Sequence, residues 1–108
     1  MFDQTAQINQ IQKAIFNELG PESGCRIYLY GARALGSNDR FEPVLLAIES
    51  PNIIEVDLLG YLQMTANEAA GPLSVHITEY NSLSPESQWQ IHREGVELFP
   101  KGQRLYKV

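Results

Sequence analysis

Residues 27–36 read Ile27-Tyr28-Leu29-Tyr30-Gly31-Ala32-Arg33-Ala34-Leu35-Gly36. The first four are β-branched, aromatic and aliphatic, and with Cys25-Arg26 before them they predict a strand over residues 25–30. Gly31 ends it, and Ala32 to Leu35 read as one helical turn before Gly36. Upstream, Ile8, Ile11, Ile15 and Leu19 share one face of a helix over residues 3–19, which Gly20-Pro21 stops. Downstream, Pro43-Val-Leu-Leu-Ala-Ile-Glu49 is a nearly continuous apolar run, the pattern of a strand buried on both faces, with Pro43 at its first residue.

Further along, Asn52 reads as an N-cap with Glu55 three positions on, a capping box that opens a helix over residues 53–69. Ile54, Leu58, Leu62 and Ala69 give that helix its apolar face. Gly71-Pro72 follows it, and Leu73, Val75 and Ile77 alternate with polar residues in a strand over residues 73–80. Ser84 caps a short last helix with Pro85 at its first position, ending at Gly95. Residues 96–99 suit a short final strand. The order is α-β-(turn)-β-α-β-α. This predicts an α/β (α+β) fold in which helices cover a small mixed β-sheet, all within a single domain of residues 1–108.

The 108 residues suffice for one modest core, and hydrophobic residues make up 44% of them. The net charge of −5 argues against a general nucleic-acid binder. Lys101, Arg104 and Lys107 near the end read as a solvated tail. One cysteine, Cys25, can close no intramolecular disulfide and supplies no thiol cluster for zinc; a buried, inert thiol is expected. No signal peptide opens the chain and no apolar run is long enough to span a bilayer, so a cytoplasmic protein is expected.

Residues 27–36 resemble the opening signature of the minimal nucleotidyltransferase domains of the DNA polymerase β superfamily, in which a strand ends in Gly-Ser-Arg-Ala-x-Gly. Gly31, Arg33, Ala34 and Gly36 match. Leu58-Leu-Gly-Tyr-Leu62 resembles the family's middle helix, Val75-His-Ile-Thr-Glu-Tyr80 its third core strand, and the stretch from Ile91 through Arg93-Glu-Gly-Val96 to Phe99 its closing helix and strand. The resemblance spans nearly the whole chain and implies the nucleotidyltransferase fold.

The family's chemistry uses two divalent ions. Magnesium takes hard oxygen ligands, which the family supplies as two Asp at alternate positions of the second strand and a third on the next core strand. With Gly31-Ala32 standing for Gly-Ser and residues 33–42 intervening, the paired positions fall on Pro43 and Leu45, and the third on His76. The serine that helps hold the triphosphate becomes Ala32. A proline ring and a hydrocarbon cannot ligate magnesium, and imidazole is a poor ligand for so hard a cation. The resemblance therefore implies a degenerate site with no catalytic residue and no metal ligand. Asp39 and Glu42 are the nearest other carboxylates, but they are three apart rather than two. Glu49 and Glu55 lie past the strand's far end, and Asp57 reads as a solvent-facing helix residue.

Gly31, Arg33 and Gly36 remain as nucleotide-binding candidates, through backbone N–H groups and a cation. A glycine turn needed only for geometry is the plainer reading. His76 reads as a histidine on the outer face of a half-exposed strand, with a ligand or general base as the other option, and His92 as a surface residue. Tyr28, Tyr30, Tyr61 and Trp89 read as core or interface anchors, with a stacking platform for a base as the other option. Active members of the family pair with small helical HEPN proteins as antitoxin to toxin. The resemblance thus implies a non-catalytic protein that binds such a partner, with homodimerisation as another use of the same surface. Two other functions are an adenylyltransferase using ATP and magnesium through displaced ligands, and a nucleotide sensor without turnover. No cofactor is expected in the first case.

Overall fold

A computed structural model of the chain describes residues 4–20, 24–37, 39, 41–99 and 103–104. Asp3 and Pro21, read as the limits of the first helix, lie outside the described residues, as do Lys101 and Lys107. The elements run α1 (Gln4–Leu19), β1 (Arg26–Tyr30), β2 (Val44–Glu49), α2 (Val56–Ala69), β3 (Val75–Glu79), a 3-10 turn (Tyr80–Ser82), α3 (Pro85–Glu94), β4 (Val96–Phe99) and β5 (Gln103–Arg104). The sheet order is β3-β2-β1-β4-β5, mixed because β2 and β3 are parallel while every other pair is antiparallel. The predicted α/β architecture holds. β4 is the expected short strand, and Gln103–Arg104 pair with Val96 and Glu97 where the sequence suggested a solvated tail.

Strand alternation assigns the two faces of the sheet. Val44, Leu46 and Ile48 point toward α1 and α2, where Ile11, Ile15, Leu62 and Ala66 are fully buried against them. Tyr28, Ala47, Tyr80 and Ile91 form a second, smaller cluster beneath α3 on the opposite face. Central β2 is thus covered on both sides, which explains its unbroken apolar run. No described helix is long and apolar enough to cross a membrane, and Cys25 is buried.

Both ends of α3 follow the sequence. Ser84 Oγ accepts from the Ser87 N–H at 3.2 Å, with Pro85 next in line. At the other end the Gly95 N–H donates to Ile91 O at 2.6 Å, and a Cβ at residue 95 would lie 2.3 Å from that oxygen. Only glycine fits there. α2 departs from expectation: its N-cap is Glu55, with no side-chain cap bond, and Asn52 instead turns back so that its N–H donates to Ser50 Oγ. The β-branched pair Ile53-Ile54 keeps the chain extended, with Ile54 plugged into the core and Ile53 left outside.

β3 is an edge strand, and α2 closes that edge with side chains. Gln63 Oε1 accepts from the Ile77 N–H at 2.9 Å, its Nε2 donates to Val75 O, and Asn67 Oδ1 accepts from the Val75 N–H at 3.0 Å. Two amides thus stand in for a neighbouring strand. Gln63→Leu strands both ladder groups. It is expected to cost about 1–3 kcal/mol in chemical denaturation, comparable to the roughly 2–5 kcal/mol of Leu62→Ala in the core beside it, whereas Ile53→Ala leaves stability nearly unchanged.

Candidate functional site

β1 leaves the sheet at Gly31 with φ +79°, in the left-handed region that glycine adopts without steric cost. A Cβ at this position would sit 2.9 Å from Leu45 Cδ1. The register explains the contact: Tyr30 faces Leu45 across the β1–β2 ladder, and Leu45 faces His76 across the β2–β3 ladder. The turn, Leu45 and His76 therefore stand in a row on the α3 side of the sheet. Pro43, half-buried, precedes β2 by one residue, and Ala32 follows Gly31. The four positions identified by counting converge on one place, at the end of the sheet that α3 leaves open to His76.

The turn itself is tightly closed. The N–H groups of Ala34, Leu35, Gly36 and Ser37 all donate to carbonyls between Gly31 and Arg33, as expected of one helical turn. Four of the turn's backbone donors are thus spent within it. Arg33 is buried, only 4% exposed. Its Nη2 donates to Asp39 O at 2.6 Å and Glu42 O at 2.7 Å, and Nε donates to Glu42 O at 3.1 Å. The guanidinium thus pins the loop that leads into Pro43, a role the sequence reading, which offered this cation to a ligand, does not anticipate. Burying a guanidinium requires such a set of acceptors.

The residues present do not fit a divalent pair. Hydrocarbon occupies positions 43 and 45, and position 76 holds an imidazole, a poor ligand for a hard cation. Asp39 Oδ1 accepts from the Phe41 N–H at 2.9 Å within its own loop. Among the described residues no three of His, Cys, Asp and Glu gather in a group that could hold a metal ion.

The aromatic candidates separate. Tyr28 and Tyr30 lie on the α3 face, Tyr61 is exposed on α2 across the sheet, and Trp89 is exposed on α3 with the Arg93 guanidinium 5.0 Å from its ring centroid. They form no common platform. Tyr28 is buried and donates to Glu49 Oε1 at 2.6 Å, while Tyr80 pairs with exposed His92 Nε2 at 2.6 Å. The three rings of Tyr28, Tyr80 and His92 sit 5.5–5.9 Å apart by centroid. This polar seam under α3 was missed in sequence because its members, with Glu49, are scattered over four elements. Burial, then the Glu49 carboxylate, pushes the Tyr28 hydroxyl well above its usual value of 10.0, and burial raises Tyr80 likewise.

No known sequence family and no curated protein matches the chain. Solved structures do. A chain of a toxin–antitoxin crystallised with AMP-PNP superposes with a TM-score of 0.71 over 86% of this chain and 73% of that one, at 20% identity. The fold is that of a minimal nucleotidyltransferase. A chain of an MntA–HpeT toxin–antitoxin mutant gives a TM-score of 0.70 over 86% and 72%, at 19% identity. A chain from the complex of a tri-AMPylated Shewanella oneidensis HEPN toxin with an MNT antitoxin gives 0.68 over 92% and 74%, at 18%. In the nucleotidyltransferase fold of this chain, the turn and the Leu45 strand are neighbours, as the resemblance requires.

Gly31→Ala is expected to cost more than the roughly 1–2 kcal/mol of a left-handed alanine, because the new methyl meets Leu45. Adding Leu45→Ala should recover part of that excess in a double-mutant cycle; strict additivity would deny the contact. A second expectation concerns alkali. Raised folded-state pKa values mean that the contribution of Tyr28 and Tyr80 is complete below pH 10 and is lost as pH climbs toward their folded values. Denaturation midpoints should fall above pH 10, and more gently in Tyr28→Phe.

Proposed function

We propose that this chain is a nucleotidyltransferase-fold protein without metal chemistry, acting by binding a protein as the antitoxin-like partner of a small helical HEPN protein. The observation that carries this reading is the placement of Leu45, with one methyl against Gly31 and its ladder partner His76 alongside. A hydrocarbon stands where a pair of carboxylates would be needed to hold magnesium. A structural neighbour supports the partner class, since its complex joins a HEPN toxin to an MNT antitoxin. Without transfer chemistry, neutralisation would proceed by occlusion, burying the partner's working surface. A cytoplasmic setting suits a chain whose single thiol is buried.

The loss of the acids also simplifies folding. Clustered carboxylates repel one another and resist burial when no cation is present, and Pro43 and Leu45 impose no such strain. Magnesium and ATP should therefore leave the melting temperature of this protein unmoved. Pro43→Asp, Leu45→Asp and His76→Asp together should create a magnesium-dependent rise where none existed. Calorimetric silence toward ATP separates this reading from that of a nucleotide sensor. Transfer of AMP from ATP to the co-expressed partner by the unaltered chain, abolished by Asp39→Ala or Glu42→Ala, would overturn it in favour of an adenylyltransferase with displaced ligands.

A further inference from the structure

The outward face of α2 has no partner among the described residues. Val56, Gly60 and Met64 succeed one another at four-residue spacing, so they form one row, with Tyr61 beside it. Val56 is 84% exposed and Met64 51%, and Ile53, just before the helix, is 90% exposed. Gly60 stands in the middle of this row. Glycine is among the least favourable residues for a helix interior, and nothing within 4 Å of residue 60 would obstruct a Cβ. Nothing among the described residues requires a glycine there. A second backbone approaching closely would, because a bare Cα lets two helices come together.

Charge defines the visitor. From residue 41 to residue 92 the sequence contains no Lys or Arg, against seven Asp and Glu. Glu55, Asp57 and Glu68 flank the row, and none of them has a cationic partner among the described residues. Beside the start of α2 lies a cleft of about 370 Å³ lined by Pro51, Asn52, Ile53, Glu79, Asn81 and Ser82. Its walls suit a long cationic side chain, with the stem on Pro51 and Ile53 and the head on Glu79, whose carboxylate also has no cationic partner among the described residues. A second copy of this chain is disfavoured, because a twofold contact through α2 would set these same acids against one another.

We infer that the outward face of α2, with the adjoining cleft, docks a basic amphipathic helix of a partner protein, its apolar stripe crossing at Gly60 and a Lys or Arg entering the cleft. This rests on the protein-binding reading above and supplies its surface. A synthetic helical peptide of leucine and lysine at amphipathic spacing is a suitable probe, with a leucine–glutamate peptide of the same pattern as control. In an amide NMR titration the lysine peptide should perturb residues 53–64 and 79–82, weaken as salt rises, and outbind the glutamate peptide. Asp57→Lys with Glu79→Lys should weaken it by about tenfold or more, and Gly60→Leu likewise. The equally charge-changing Glu86→Lys plus Glu18→Lys should do much less. Gly60→Ala should raise the melting temperature, showing that the glycine serves no need of the monomer.

Perturbations mapping elsewhere, equal binding of both peptides, or an equal loss in the control charge variant would overturn the inference. So would a sedimenting dimer that Gly60→Leu dissociates. AMP transfer by the unaltered chain would sink the metal-free reading while leaving these titrations intact, so the two failures are distinguishable.

Discussion

The contact between a Leu45 methyl and the bare Cα of Gly31 governs how β1 leaves the sheet. A side chain at residue 31 would strike Leu45, and the left-handed φ there turns the chain sharply into the loop that Arg33 then pins. That loop delivers Pro43 to the start of β2, and β2 places Leu45 back beneath the turn. The circuit closes on itself through sterics and three hydrogen bonds from one buried guanidinium.

The two faces of the sheet are held by different physics. Against α1 and α2 the contact is almost wholly aliphatic, and its strength comes from removing apolar surface from water. Under α3 the cluster is aromatic and polar, with each buried hydroxyl satisfied by a carboxylate or an imidazole. No buried side-chain polar atom among the described residues lacks a partner. The thinner cover on this face leaves His76 exposed and Leu45 half-exposed at that end of the sheet.

Much of this was legible from local signals. The period of Ile8, Ile11 and Ile15, the apolar run of β2, and the Ser84-Pro85 start of α3 all describe forces acting within a few residues, and each element formed where its pattern put it. Asn52 misled because a capping box is only a local preference: burying Ile54 held the chain extended, and the helix began without a side-chain cap. Arg33 was harder still. Its type suggested a ligand's anion, but the acceptors that bury it are backbone carbonyls of a loop whose course no pattern encodes.

The sequence by itself determined the order of elements, the buried central strand, and the hydrocarbon and imidazole at positions 43, 45 and 76, because residue identity and periodicity are local properties. Tertiary structure alone decided that Leu45 and His76 stand in one row beside Gly31, that Gln63 and Asn67 finish the edge of β3, and that Tyr28, Glu49, Tyr80 and His92 meet beneath α3. Each of these depends on strand register and helix placement. Those are set by burial summed over the whole chain, which no short stretch of sequence contains.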